Sequence, residues 1–283
     1  MITKHLIAAL FISITATATF ANRQIDAQKI MKRANYIAHY QGNDFRADAN
    51  LTITMLNNPN RKMQMKFVLL RRDEQPTNKD ISKNPEWGKN PELCCKGQGY
   101  YIDFPISSNV KSMIFTFCQC FEKKDTHWIY MPCLDLVKRM CLLTRRTPFL
   151  GTDLFYEDIG GRNINIDRHE IIAVTDKFYK LKSVPKDSNS AEFSYYITWI
   201  HKKTFIPVKI EYFDKTGKKY REYSTLEVRK VQGYDTITKL QIIDFNKGSK
   251  TVLSFKNIKY NTGIPQNLFT ERYLRNSPTK YLR

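Results

Sequence analysis

Three acidic side chains lie close together in the segment 148–159, which reads PFLGTDLFYEDI. Asp153, Glu157 and Asp158 could act as a general acid and a base in hydrolysis if one carboxyl had a raised pKa. Nearby cations lower the pKa of a carboxyl, and a basic run precedes the segment. These cations are Lys138, Arg139, Arg145 and Arg146. We therefore predict that the acids form ion pairs that dock a short helix and the turn before it.

Other catalytic signatures are missing from the sequence. It has no GxSxG, no HExxH and no glycine-rich phosphate loop. Four histidines are scattered beyond residue 21, and we expect each at the surface or at a strand end rather than as a metal ligand. They are His39, His127, His169 and His201. We predict that the protein is not an enzyme and that it uses no cofactor and no metal.

Residues 1–21 have the composition of a secretory signal peptide. A basic start at Lys4 is followed by an apolar stretch from Leu6 to Ile14 and then by small residues. We predict cleavage after Ala21, with Ala18 as the alternative, and export of residues 22–283 to the periplasm. The other interpretation is a retained membrane anchor, although threonine and alanine make the end of the stretch only weakly hydrophobic.

Six cysteines lie between residues 94 and 141. An even number of cysteines in an exported chain favours disulfides, and no CxxC spacing indicates a zinc site. Cys118 and Cys120 are two residues apart in an expected strand, so their Cβ atoms are about 6.6 Å apart, whereas a disulfide needs about 4 Å. The pairing stays open, as does the alternative that some are buried thiols. The disulfide candidates are Cys94, Cys95, Cys118, Cys120, Cys133 and Cys141.

The chain carries a formal net charge of +19. Such a surplus can indicate nucleic-acid binding, but export removes that partner. Two interpretations remain. The cations bind anionic membrane or protein surfaces, or they belong to the solvated face of a sheet.

The hydrophobic pattern predicts one helix followed by a mainly β chain. Ile30, Ala34 and Ile37 recur at helical spacing within residues 26–42. The period then changes to two in the segments 45–55 and 63–69, which form a long hairpin. Including these two, about eleven strand segments follow the same pattern. They are joined mostly by short turns, which require antiparallel pairing, and a loop insertion lies at 73–99. A sheet with one such apolar face must close into a barrel or fold over its helices.

Large flexible and aromatic side chains recur on the apolar face of these strands. Methionine and aromatic residues can line a cavity that accepts acyl chains of variable shape. The same pattern also describes a plain packed core, and periodicity does not choose between the two. The cavity candidates are Leu51, Ile53, Met55, Met63, Met65, Phe67, Phe115, Phe117, Phe193, Tyr195, Ile197 and Trp199.

The segment 127–164, HWIYMPCLDLVKRMCLLTRRTPFLGTDLFYEDIGGRNI, resembles the signature of the periplasmic outer-membrane lipoprotein-sorting family, proteins with a LolA-like fold found beside RND-type exporters. That signature is a Trp-x-Tyr-Leu-Pro strand, a basic turn, and Phe-Leu-Gly-Ser-Asp-Phe-x-Tyr-Glu-Asp-Leu. The resemblance runs from about Ala27 to Leu274. The matching residues are Trp128, Tyr130, Pro132, Lys138, Arg139, Phe149, Leu150, Gly151, Asp153, Tyr156, Glu157 and Asp158.

The resemblance implies a fold and a role. The fold would be an unclosed, strongly curved antiparallel half-barrel of about eleven strands with capping helices, forming one domain over residues 22–283. Its apolar face would hold acyl chains of a lipid or lipoprotein, which a soluble, monomeric carrier moves through the periplasm toward the outer membrane. The implied partners are an inner-membrane exporter of the RND or ABC type and an outer-membrane acceptor.

Within the motif we expect structural roles. Gly151 should adopt a backbone conformation that other residues disfavour, with Phe149 and Tyr156 packed beneath it. The chain departs from the family pattern at 105–113, PISSNVKSM, in the insertion at 73–99 and in its cysteines. The alternative function is a basic, envelope-associated protein that binds anionic membrane or protein surfaces and has no lipid cavity.

Overall fold

One large antiparallel sheet dominates the structure, a computed structural model that describes residues 27–75, 78, 82, 97–105, 109–118, 126–139 and 145–283. Its thirteen strands are β1 Asp44–Met55, β2 Lys62–Glu74, β3 Gly97–Asp103, β4 Ser112–Cys118, β5 Thr126–Met131, β6 Leu136–Arg139, β7 Asp167–Val174, β8 Phe178–Pro185, β9 Tyr195–His201, β10 Pro207–Phe213, β11 Lys219–Val231, β12 Tyr234–Asp244 and β13 Ser249–Tyr260. The expected signal peptide lies outside the described residues.

Within the continuous described ranges, helices are few and short. Helix α1 spans 27–39. The others are α2 Tyr156–Gly160, α3 Arg272–Arg275 and α4 Thr279–Leu282. Single 3-10 turns occur at Pro132–Leu134, Phe149–Gly151, Ile164–Ile166 and Gln266–Leu268. No helix in the described ranges combines the length and the apolar composition that crossing a bilayer requires.

The strand order is β6-β5-β4-β3-β2-β1-β13-β12-β11-β10-β9-β8-β7. Strands β6 and β7 are the two edges, and within the described residues the sheet does not close between them. The prediction of a mainly β, unclosed antiparallel sheet is therefore confirmed, with thirteen strands instead of about eleven. The two additional strands are these edges. Strand β6 has only four residues, and β7 exposes most of its second half, so neither shows a clear period of two.

The long hairpin follows the predicted alternation. Ala49 pairs with Phe67, and Leu51 pairs with Met65. Ala49, Leu51 and Phe67 are buried on the face that carries α1 and the segment 145–162, which we call the inner face. The opposite side is the outer face. Because successive side chains of a strand alternate, residues such as Lys66 lie there.

Two apolar clusters lie on the inner face and one on the outer face. The first inner cluster joins strands β1 to β4 and β11 to β13 to the segment 149–156, and the second joins α1 to strands β8 to β11. On the outer face the C-terminal segment 264–282 covers β2, β3 and β4. Ser112 Oγ donates to Leu274 O at 2.6 Å, which attaches this segment to β4.

Candidate functional site

Helix α1 lies on the inner face of the sheet. Its buried residues follow the i, i+3, i+4, i+7 spacing of an amphipathic helix. They pack in one cluster with Leu181, Tyr196 and Ile200 of β8 and β9. The buried residues of α1 are Ala27, Ile30, Met31 and Ala34. The second half of the helix packs less tightly, and a cavity lies on each side of it.

The first cavity, which we call the apolar cavity, has a volume of about 80 Å³. It lies between the end of α1 and strands β1, β2, β12 and β13. Its apolar lining is formed by Phe45, Leu69, Ile237, Leu240, Leu253 and Phe255. Gln41, Arg71, Asp158 and Thr236 also border this cavity, so its lining is mainly but not entirely apolar. A small, mainly apolar space is suited to part of a hydrocarbon chain.

The second cavity, which we call the polar cavity, is also about 80 Å³ and lies between α1, α2 and strands β9 and β10. Its lining is mostly apolar, from residues such as Met31, Ile164 and Ile210, but it also includes hydrogen-bonding and charged side chains. They include Asn35, Glu157, Arg162, Thr198 and Tyr212. Four residues border both cavities: Ala38, His39, Asp158 and Tyr223. The two cavities are therefore neighbours separated by few side chains.

Arg71 of β2 holds the C-terminal end of α1. Its Nη1 donates to His39 O at 2.7 Å, and its Nη2 donates to Gln41 O at 2.6 Å and Gly42 O at 2.9 Å. A cation at a helix C-terminus satisfies carbonyls that have no partner within the helix and interacts favourably with the helix dipole. Arg71 Nε also lies 3.1 Å from Asp73 Oδ1. This side chain thus joins α1 to the sheet beside the apolar cavity.

Burial shifts two titratable groups near this junction. It raises the pKa of Asp73 to about 6, although Arg71 and the amide of Gln98 act in the opposite direction. Burial also lowers the pKa of His39 to about 4, so its imidazole is neutral near pH 7. His39 Nδ1 lies 3.3 Å from Ile159 O.

Ion pairs hold the segment 145–162 against the inner face. Arg146 Nη1 lies 2.9 Å from Glu157 Oε1, and Arg162 Nη1 lies 3.0 Å from Glu157 Oε2. Burial alone would raise the pKa of Glu157, but the two guanidinium groups hold it below its usual value. Arg162 Nε also contacts Asp167 Oδ2 at 2.7 Å. The predicted ion-paired role of Glu157 with Arg146 is confirmed.

The two aspartates of the motif have different partners. Asp158 forms an ion pair with Arg221 and accepts a hydrogen bond from Phe155 N at 2.6 Å. Asp153 accepts hydrogen bonds from Ser249 Oγ at 2.6 Å and Thr251 Oγ1 at 2.8 Å. All three acids of the motif are therefore committed to structural contacts. Arg162 and Arg221, which supply charges for two of them, were not anticipated because they lie outside the preceding basic run.

Aromatic rings enclose the buried arginines. The guanidinium carbon of Arg146 lies 4.5 Å from the ring centre of Phe155 and 5.0 Å from those of Phe193 and Tyr212. Arg221 lies 4.5 Å from Phe155. Stacking of this kind favours a cation that has lost its water.

Within the described part of the chain, no three His, Cys, Asp or Glu side chains are grouped so as to hold a metal ion.

None of the twelve residues predicted to line a lipid cavity borders the apolar cavity or the polar cavity. Four candidates are buried on the inner face beneath the segment 149–160. Phe149 lies 5.9 Å from Phe67, and Tyr156 lies 5.2 Å from Phe115, measured between ring centres. The four covered candidates are Leu51, Phe67, Phe115 and Phe117. The motif segment covers this part of the inner face, and the apolar and polar cavities lie where α1 covers it instead. Phe67 also borders a separate cavity of about 700 Å³ between β1, β2, β13 and residues 103–105.

The methionine candidates and Ile53 lie toward the end of the first hairpin. Ile53 and Met65 are partly buried against the inner cluster. Met55 is half-buried, and Met63 is 50% exposed because it approaches the hairpin turn. Phe193 is buried, but against Tyr196 and Tyr212 at 5.5 and 5.4 Å.

The remaining three candidates lie on the wrong face. Strand β9 buries Tyr196, Thr198 and Ile200, so the alternate residues Tyr195, Ile197 and Trp199 belong to the outer face. Lysines accompany two of them. Lys180 lies over Trp199 at 4.8 Å, and Lys182 lies over Tyr195 at 4.6 Å. The sequence prediction started the alternation of faces at Phe193, which lies before the first residue of β9. It therefore assigned Tyr195, Ile197 and Trp199 to the inner face instead of the outer face.

The family-motif residues serve two different regions. Those at 149–158 enter the inner face, where Gly151 has a φ of 76° and Phe149 and Tyr156 are buried, as predicted. The earlier ones belong to the β5–β6 edge. Arg139 lies 5.7 Å from the ring of Trp128, and Tyr130 OH donates to Asp135 Oδ1 at 3.2 Å. Pro132 opens the 3-10 turn between the two strands.

The cysteine and insertion predictions remain mostly untested. Cys133 is an exposed free thiol. Cys94, Cys95, Cys120 and Cys141 lie outside the described residues, as does the Cys118 side chain, so the disulfide framework stays a prediction. Most of the 73–99 insertion and residues 106–108 also lie outside them.

The fold defines the class of protein. A LolA superfamily protein from Nitrosomonas europaea has a similar structure, with a TM-score of 0.61 and 16% identity over 88% of this chain and 99% of its own. A provisionally named outer membrane lipoprotein-sorting protein domain from Vibrio parahaemolyticus gives a TM-score of 0.70 and 18% identity over 89% and 99%. A DUF1329 family protein from Desulfovibrio piger gives 0.72 and 18% over the same shares. The chain therefore has a LolA-like fold.

The sequence family is defined separately. Residues 101–276 match the model of a family described as "-like: Uncharacterized protein". This match covers more than half of the chain, so the chain belongs to that family. No curated protein matches the chain.

Proposed function

We propose that the protein is a carrier that binds acyl chains of a lipid or lipoprotein between α1 and the inner face. In this proposal the chain is exported to the periplasm by residues 1–21 and acts there as a monomer. It receives cargo from an inner-membrane exporter of the RND or ABC type and delivers it to an outer-membrane acceptor. The name of the Vibrio structure supports lipoprotein sorting as the broader process.

The observation that carries this proposal is the apolar cavity beneath α1. About 80 Å³ is far smaller than the roughly 300–1,000 Å³ of a typical ligand pocket. Helix α1 must therefore move for a chain to enter, and its movement would join both cavities. Burial of eight methylenes provides about 6 kcal/mol, which offsets the loss of several hydrogen bonds at the end of α1.

A substitution that fills the cavities tests the proposal. Ala38 borders both, so Ala38→Trp should reduce the copurified lipid at least about fivefold, since the indole would occupy the space that the ligand needs. Lipid recovered by solvent extraction is quantified by mass spectrometry. Ala173→Trp on the exposed edge strand is the matched control and should retain the lipid. A wild-type protein without lipid, or an Ala38→Trp protein with a full load, would contradict the proposal.

A second candidate function is association with anionic surfaces, and the outer face favours it. Four lysines of β2, β12 and β13 project from this face without an ion pair to any described residue. Between them lie uncharged polar residues such as Thr52, Gln64 and Gln241. We call the four the outer lysines: Lys62, Lys66, Lys239 and Lys250. Lysines near an anionic leaflet contribute about 1 kcal/mol each.

A further inference from the structure

We infer that the polar cavity is the site of an uncharged, hydrogen-bonding head group, so that the cargo is a neutral amphiphile. The inference rests on the proposed function, because it assigns the hydrocarbon tail to the apolar cavity. Its own basis is the side chains of the polar cavity and the charges behind them.

The clearest indication is a buried hydroxyl without a partner. Thr198 lies on the inner face of β9, is 1% exposed and borders the polar cavity. Its Oγ1 has no hydrogen-bond partner among the described residues. A buried hydroxyl left unpaired destabilises the folded state, so such groups are rare unless something else occupies the space beside them.

Two more groups at this cavity are uncommitted. Asn35 of α1 and Tyr212 of β10 border it, and neither side chain forms a hydrogen bond to a described residue. An amide, a hydroxyl and a phenol together offer donors and acceptors without charge. They therefore suit a ligand group that both donates and accepts, such as the hydroxyls of a glycerol ester.

The charges around the cavity argue against an ionic head group. Glu157 is neutralised by Arg146 and Arg162, and Asp158 by Arg221. Arg162 is also paired with Asp167 at 2.7 Å. An added phosphate or carboxylate would have to break one of these pairs or remain buried without a counter-ion, and either outcome is costly.

The polar cavity lies directly beside the apolar cavity. The two share Ala38, His39, Asp158 and Tyr223 as borders, so a single molecule can extend from the uncommitted polar groups of the polar cavity into the apolar cavity. A free hydrocarbon would leave the Thr198 hydroxyl without a hydrogen-bond partner. An uncharged amphiphile satisfies both cavities.

Three probes with the same tail test the inference: monoolein, methyl oleate and oleate, measured by displacement of a fluorescent fatty-acid analogue. Wild type should bind monoolein about three- to tenfold more tightly than methyl oleate or oleate, as expected for one or two hydrogen bonds. Thr198→Val should remove most of this preference. It should also raise the Tm by about 2 °C, because it removes an unpaired buried hydroxyl.

Controls separate a binding role from a packing role. Thr52→Val on the outer face should leave both the preference and the Tm unchanged. Asn35→Leu should weaken monoolein binding and leave methyl oleate unaffected. If all three probes bind equally and Thr198→Val does not change their binding, the inference is overturned while the carrier function stands. A preference for oleate has the same consequence. Failure to bind any probe overturns both.

Discussion

Charged side chains differ in burial and in ion pairing between the inner and outer faces of the same sheet. On the inner face Arg146, Arg162 and Arg221 have side chains at most 9% exposed, and each contacts a carboxylate. On the outer face the outer lysines have no ion pair to any described residue. A buried charge without a partner is costly, whereas a solvated lysine needs none. Buried charges of the inner face are thus paired where water is excluded, whereas the outer face combines more exposed pairs such as Lys209–Glu211 with lysines that have no ion pair to a described residue.

The largest effect expected from this difference comes from breaking an inner ion pair. Glu157→Gln leaves Arg146 and Arg162 with reduced compensation and should lower the free energy of unfolding by about 3 kcal/mol. Urea unfolding followed by circular dichroism measures it. The matched control is Glu211→Gln, since Glu211 pairs with Lys209 at 2.8 Å on the outer face. We expect a change below about 1 kcal/mol there, and equal losses at both sites would contradict the comparison.

The second effect concerns pH and a buried imidazole. Burial lowers the pKa of His127 to about 4, and its Nε2 lies 3.2 Å from Tyr156 OH. In the unfolded chain the His127 imidazole takes up a proton near pH 6.5. The stability that the neutral, buried imidazole gives the folded state is therefore complete above that pH. It is lost as the pH falls toward 4, by at most about 3 kcal/mol.

His127→Phe should flatten the pH dependence of the unfolding free energy between pH 4 and 6.5 by about one proton. Tyr156→Phe keeps the imidazole and should keep the slope. A wild-type slope in His127→Phe would show that other groups cause it. Asp73 acts in the opposite direction, because its raised pKa of about 6 gives stability that is lost as the pH rises from 4 to 6.

The smallest effect on stability belongs to the outer lysines. Replacing all four by glutamine should change the unfolding free energy by less than about 1 kcal/mol, because none forms an ion pair with a residue that the structure describes. Cosedimentation with vesicles containing anionic phospholipid should fall at least about tenfold at low salt. Unchanged cosedimentation would leave the outer face as an ordinary solvated surface.

Much of the architecture was predictable because it depends on short segments. The alternation in 45–55 and 63–69 predicted β1 and β2 as a hairpin, and the register of Ala49 with Phe67 confirms it. Helix α1 followed from helical spacing over about three to four turns. Strands β6 and β7 were missed because an edge strand has fewer buried partners and carries no clear alternation.

The site was less predictable than the fold. The twelve cavity candidates were chosen by residue type and parity, but the segment 149–160 covers four of them and β9 turns three of them outward. Residues that line the apolar cavity, such as Phe45 and Leu69, have the same pattern as their covered neighbours. No local signal distinguishes an apolar side chain beneath α1 from one beneath the motif.

By itself the amino-acid sequence determined the strand period, the helix, the left-handed glycine at Gly151 and the LolA-like resemblance, because backbone geometry acts over a few neighbouring residues. Tertiary structure alone decided which apolar surface stays uncovered and which cations neutralise the acids. The Arg221–Asp158 contact, for example, joins residues 63 positions apart. Such pairings depend on the complete sheet, which brings distant strands together and removes their side chains from water.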